Sequence, residues 1–370
     1  MGATPRKIRA WMQDPATQDW TLPEWPAFGL QSDVRPALRR AAEAGRPVVL
    51  GTLYAHEGAA PLGEGAQILF DADASGAWAA AGFLSGGCVE GDIAHHARTV
   101  LEEGAPRRLV YGRGGPPDIK LLCGSRIEVL LERIAPDEPA LARLLELEAA
   151  RRPALWLSDG GVRACLAEGE PLSHPPAALG LAAAKACERP AASGPAGGAI
   201  FRRHAPRLRL MVVGGDPTTL AIARLAAEAG FETTLVRPKG PSSPPPIAGV
   251  RYFRGEPAEA FRVLGLDPWT AVAVATHDID IDHDALRVAL PSAAGYVGAL
   301  GSRKRIPERL ARLTMDGLAD SAVARLKAPI GLDIGARAPW EIAVSVIAEA
   351  IQALKALDAA RPWPAASAAA

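Results

Sequence analysis

Apolar positions fall into helical and strand spacings along most of the chain. Val34, Leu38, Ala41 and Ala42 keep helical spacing up to Gly45, and Pro47 to Leu53 then run as one buried strand. Further strands are expected at Gln67 to Phe70 and Ala77 to Phe83. After Ser85-Gly86-Gly87, the positions Val89, Ile93, Ala97, Val100 and Leu101 predict a helix that begins at or just before Cys88 and stops at Gly104. Strands at Arg107 to Tyr111 and Arg126 to Leu131 and a helix at Pro139 to Ala150 complete an N-terminal α/β domain.

Leu155 to Leu157 and Val162 to Leu166 flank Ser158-Asp159-Gly160-Gly161, and the Asp-Gly pair predicts a hairpin. Residues 173–206 are rich in Pro, Ala and Gly with little periodicity, the composition of a linker. From Leu208 the pattern changes. Leu210 to Val213, a glycine turn, an amphipathic helix over Thr219 to Ala229, a stop at Gly230 and a strand at Thr233 to Val236 spell a βαβ unit. Ala271 to Ala275 and Tyr296 to Ala299, each followed by a helical pattern, extend it into a Rossmann-like, doubly wound parallel sheet. The expected fold class is therefore α/β, with an arm at 1–30, an N-terminal α/β domain with its bridging hairpin at 31–172, the linker, a Rossmann-like domain at 207–357 and a disordered tail at 358–370.

A chain of 370 residues suits two compact domains, and 49% apolar with 22% charged residues is ordinary for a globular protein. Lys plus Arg equals Asp plus Glu at 41 each, so no global field favours nucleic acid. No apolar stretch has the length of a membrane-spanning helix, and residues 1–20 lack the apolar core of a signal peptide, so a cytoplasmic location is expected. The four cysteines, Cys88, Cys123, Cys165 and Cys187, form no CxxC pair, and free thiols in a reducing compartment are the expectation.

Several segments could carry chemistry. Ser85-Gly86-Gly87-Cys88-Val89-Glu90-Gly91 puts a thiol at an expected helix start, where backbone N–H groups and the helix dipole favour thiolate. The alternative is a small cysteine packed beside two glycines. Tyr111-Gly112-Arg113-Gly114-Gly115 leads on to Cys123-Gly124-Ser125, a loop that sets a cation near a second thiol; turn formation alone also explains it. Gly214-Gly215-Asp216-Pro217-Thr218-Thr219 stands where a Rossmann phosphate turn belongs, but Asp216 replaces the second glycine of the fingerprint. No acidic residue ends the next strand, which disfavours NAD; Arg237 and Lys239 there leave NADP as the nucleotide option.

Thr276-His277-Asp278-Ile279-Asp280-Ile281-Asp282-His283 has the opening spacing of a calcium loop but lacks its glycine and final Glu, and a helix cap with an acidic first turn accounts for it. His277 and Asp278 still follow a strand, at the edge where ligands bind in such sheets. Gly301, Ser302 and Arg303, in the run Gly298 to Arg305, could hold an anion, or form a turn before a basic helix face. Gly331 and Asp333 lie in Pro329-Ile330-Gly331-Leu332-Asp333-Ile334-Gly335, whose glycines suggest close backbone approach.

Together these segments resemble the XdhC/CoxI family, the xanthine dehydrogenase accessory factors, from about Arg46 to Leu354. The most specific are Ser85 to Glu90, Gly298 to Lys304, and Pro329 to Gly335 continuing through Pro339-Trp340-Glu341-Ile342-Ala343-Val344-Ser345. The resemblance implies a dimeric carrier of molybdenum cofactor (molybdopterin) that works with a cysteine desulfurase and inserts its cargo into an apo molybdenum hydroxylase. It makes Cys88 the motif cysteine, which is expected to coordinate molybdenum or carry sulfur. The chain departs from the family at Ala59, Ala60 and Leu62, where a Gly-Ser-Ser-Pro-Arg-like turn is usual, at Ser125 in place of glycine, and at Asp216. The expected cofactor contacts are Gly86, Gly87, Cys88, Glu90, Arg113, Cys123, Gly214, Gly215, His277, Asp278, Gly301, Ser302, Arg303, Gly331 and Asp333, gathered at the domain interface. No clear general acid and base set is present, so a cofactor chaperone is favoured over a turnover enzyme; the rival is an NADP-dependent oxidoreductase with His277 as proton donor.

Overall fold

The computed structural model describes residues 22–364 except 59, 61, 73–77, 117, 118, 120, 122, 123, 173, 174 and 189–192. The first domain is built on a five-stranded antiparallel sheet of β1 (Val48–Glu57), β2 (Gln67–Ala72), β3 (Trp78–Gly82), β4 (Arg107–Gly112) and β5 (Arg126–Ile134), in the order β3-β2-β1-β5-β4. Strand alternation divides its side chains between two cores. Val49, Ile68, Ile127, Val129 and Leu131 pack under α2 (Glu90–Glu103) with Ile93, Ala97 and Val100. Val48, Leu50, Leu69 and Ile134 face α1 (Arg35–Glu43) and α3 (Pro139–Ala149) on the other side. Helices on both faces explain why these strands read as nearly continuous apolar runs.

The predicted hairpin forms as β6 (Ala154–Ser158) and β7 (Arg163–Ala167), with the Asp159 carboxylate accepting the N–H groups of Gly161 and Val162 at 2.9 and 2.8 Å. It does not stand alone. Residues 173–206, expected to be a linker, contain α4 (Ala177–Glu188), β8 (Gly194–Ala196) and β9 (Ala199–His204). These strands join the hairpin in a second antiparallel sheet of order β7-β6-β9-β8, and α4 buries Leu179, Ala182 and Ala186 against it. Alanine on both faces of α4 hides the amphipathic contrast that marks a helix, although its helix propensity is the highest of any residue.

The last domain carries a parallel six-stranded sheet: β10 (Arg209–Val213), β11 (Glu232–Val236), β12 (Val250–Phe253), β13 (Thr270–Val274), β14 (Tyr296–Ala299) and β15 (Leu326–Lys327), in the order β12-β11-β10-β13-β14-β15. Leu210 and Val212 point to the core shared with α5 (Pro217–Glu228) and α10 (Pro339–Ala360). Met211 and Val213 point to the opposite core, closed by α6 (Pro257–Leu264), α7 (Ile279–Ala289) and α8 (Ile306–Met315); the short α9 (Asp320–Val323) follows α8. The winding reverses between β10 and β13, which opens a crevice at their carboxyl ends.

Arg151, just past α3, joins the first and last domains: it donates to Asp267 at 2.6 Å, to Glu232 at 3.0 Å and to the Arg207 carbonyl at 3.1 Å. The stretch expected as a disordered tail from residue 358 is ordered as far as it is described. α10 continues to Ala360, and Trp363 is buried beside Leu155 and Phe201 of the second sheet. The Trp363 ring supplies an anchor that the surrounding alanines conceal in the sequence. No helix among the described residues is long and apolar enough to cross a membrane.

Candidate functional site

The loop before α2 is organised around a buried carboxylate. Glu90 turns back on its own N-terminus, and its carboxylate accepts the N–H groups of Leu84 (3.0 Å), Ser85 (2.7 Å) and Gly87 (2.9 Å) and the Ser85 hydroxyl (2.6 Å). The Ser85 oxygen in turn accepts the N–H groups of Cys88 (3.1 Å) and Val89 (3.2 Å). Gly86 and Gly87 take φ of 83° and 105°, in the left-handed region that lets the loop close around Glu90. Burial pushes the Glu90 carboxyl up, but the hydrogen bonds from Ser85 and the backbone outweigh it and hold the group below its ordinary value.

This geometry corrects the expected helix start. α2 begins at Glu90, with Val89 in the cap position, so Cys88 precedes the helix. The Gly87 N–H serves Glu90, and Glu90 is only 2% exposed, which makes it the organiser of the loop. Cys88 itself is exposed and free. Ser85 is the residue that sequence reasoning missed. Its signal was a hydroxyl residue just before a helix and a Glu at the helix start, a variation on reciprocal capping.

Arg113 is exposed and paired with Glu57 at the end of β1. Cys123 falls outside the described residues. Among the described residues there is no group of three or more His, Cys, Asp or Glu side chains arranged to hold a metal ion.

In the Rossmann-like domain, Gly214 has φ of 150°, and a Cβ there would lie 2.6 Å from the Ala275 carbonyl oxygen. Arg237 packs directly over Gly215. Asp216 caps α5 by accepting the Thr219 N–H at 2.7 Å, and its other oxygen lies 3.3 Å from His277 Nε2 across the crevice. Asp278 caps α7, accepting from Asp280 and Ile281 at 3.0 and 3.2 Å, as the acidic-cap alternative foresaw. His277 is 83% exposed.

His277, Gly301 and Ser302 do share a cleft, of about 510 Å³, between the carboxyl ends of β13 and β14. Its other walls include Thr276, Asp282, Lys304, Arg305 and Arg309. Arg303 points outward to Asp333 (2.7 Å), and the Gly331 N–H donates to Glu349 at 2.8 Å. Among the described residues, the expected contacts do not line the cleft between the first and last domains. The interdomain cleft, about 700 Å³ and lined by Asp33, Arg35, Arg207, Trp269 and Lys355, contains none of the expected contacts, and no hydrogen bond or ion pair among the described residues links the Cys88 loop to the β13–β14 cleft.

These features define a three-sheet α/β protein whose last domain has the three-two-one-four-five-six strand order of the Rossmann fold, with an exposed thiol on a carboxylate-centred loop in the first. The chain belongs to the XdhC and CoxI family. The family model for the XdhC Rossmann domain matches residues 210–350, and that for the XdhC and CoxI family matches residues 41–112. The chain is similar to the molybdenum cofactor insertion chaperone PaoD of Escherichia coli (strain K12), with 32% identity over 90% of this chain and 92% of that one. It is also similar to a probable xanthine dehydrogenase subunit from Bacillus subtilis (strain 168), with 25% identity over 83% of this chain and 93% of that one. A crystal structure described as a xanthine dehydrogenase from Bacillus halodurans superposes with a TM-score of 0.68 and 25% identity, over 87% of this chain and 96% of that one.

Proposed function

We propose that this protein is an accessory factor that binds molybdenum cofactor and supports its sulfuration and insertion into a molybdenum hydroxylase of the xanthine dehydrogenase or CO dehydrogenase type. The observation that carries the reading is the similarity to a molybdenum cofactor insertion chaperone over nine-tenths of both chains. Cys88 is the proposed molybdenum ligand. It is an exposed thiol on a loop whose shape is set by internal hydrogen bonds, so a soft sulfur donor is presented without relying on the cargo to order it. A cysteine sulfur ligates a metal in its thiolate form. The proposed partners are the apo-hydroxylase, a cysteine desulfurase and a second copy of the chain, and the proposed location is the cytoplasm.

Capping by Asp216 and the cover of Arg237 over Gly215 speak against the NADP-dependent oxidoreductase, because both side chains crowd the turn where a dinucleotide's pyrophosphate rests. A cell lacking the chain is expected to accumulate hydroxylase protein with little molybdenum, measured by metal analysis of the purified enzyme. Full molybdenum occupancy there would overturn the proposed role.

A further inference from the structure

The β13–β14 cleft has a charge pattern that selects its ligand. Thr276 donates its hydroxyl to Asp282 at 2.6 Å, and Asp282 accepts Arg309 at 2.8 Å, so a chain of hydrogen bonds fixes the guanidinium inside the cleft. Arg309 lies beside Gly301, 3.8 Å from where a Cβ would stand. Lys304 and Arg305 line the same cleft and form no ion pair among the described residues. Asp282 is the only carboxylate among the lining residues, and Arg309 already engages it. Glu308, on the same helix, faces an adjoining small cavity shared with Arg305, Arg309, Arg312 and His283. The cleft therefore holds an excess of positive charge, with Arg309 fixed by hydrogen bonds and Lys304 and Arg305 exposed at its wall, which suits a compact anion.

The neighbouring turn limits what that anion can be. A dinucleotide bound in the usual way lays its pyrophosphate along the Gly214 turn, where Asp216 sets a carboxylate and Arg237 covers Gly215. We propose that the β13–β14 cleft seats the phosphate monoester of an organic ligand, held by Arg309, Lys304 and Arg305, and does not seat a dinucleotide. The proposal depends on the functional reading above only for the identity of the occupant, the phosphate of the pterin cargo.

The test titrates inorganic phosphate, phenyl phosphate and NAD into the full chain at constant ionic strength, with binding of the phosphates followed by ³¹P line broadening. Saturable binding of both phosphates is expected, with phenyl phosphate at least as tight as inorganic phosphate and no displacement by NAD. A Lys304→Ala/Arg305→Ala variant, checked for folding by circular dichroism, should bind at least tenfold more weakly. The Lys304→Arg/Arg305→Lys variant should retain binding. Absence of saturable phosphate binding, unchanged binding in the alanine pair, preference for free phosphate alone, or displacement by NAD would each overturn the proposal. Phosphate binding by a chain that carries no molybdenum or pterin when purified anaerobically from cells that make the cofactor would overturn the functional reading while sustaining this one.

Discussion

The Cys88 loop and the Asp216 turn are built from the same parts: two glycines, a following helix and a carboxylate at the junction that accepts backbone N–H groups. They use the carboxylate in opposite ways. Glu90 reaches back from inside its helix and is buried, so the loop folds around it and the thiol is left outside. Asp216 stands at the cap, covers its own turn and reaches His277 across the crevice. A glycine pair before a helix thus reports that the backbone must bend sharply there; whether a ligand can enter depends on where the nearest carboxylate goes.

The largest effect on this contrast is expected at Glu90. Glu90→Ala strands several buried donors and should cost about 3 kcal/mol in urea denaturation. Stability changed by only a few tenths of that amount would show that the loop does not depend on the carboxylate. The same group sets a pH dependence. Its folded value lies below the ordinary 4.5, so its contribution is present above pH 4.5 and is lost as pH falls through the folded value. Glu90→Gln should flatten that acid limb, as read by thermal melts across pH.

Gly214→Ala comes next, because the new Cβ meets the Ala275 carbonyl; a loss of about 2 kcal/mol is expected by the same denaturation measurement. An unchanged midpoint would mean that the turn relaxes freely. Asp216→Ala removes a helix cap and should cost about 1 kcal/mol, in proportion to one lost capping interaction. A neutral result would show that the turn does not depend on the cap. Cys88→Ala probes the contrast from the other side: an exposed thiol outside the loop's hydrogen bonds should change stability by less than about 0.5 kcal/mol.

Much of the fold could be read from spacing alone, wherever large apolar residues mark one face. The β10–α5–β11 unit, the Asp-Gly hairpin and the end of α2 at Gly104 all follow from such local signals. The second sheet was hidden because α4 spells its buried stripe in Leu179, Ala182 and Ala186 among further alanines. The start of α2 was displaced because a side chain inside the helix, Glu90, does the work of a preceding cap. The site was legible as segments, and His277, Gly301 and Ser302 do converge. Arg309 was not legible, since its role depends on Asp282, 27 residues away along the chain.

The proposed carrier role turns on Cys88 holding a molybdenum–pterin cargo. Its decisive test is the molybdenum and pterin content of the chain purified anaerobically from cells that make the cofactor, compared with Cys88→Ala. Metal and pterin at equal stoichiometry are expected in the native chain, with loss of both from the folded variant. Equal retention by the variant, or a well-folded native chain with neither, would contradict the role.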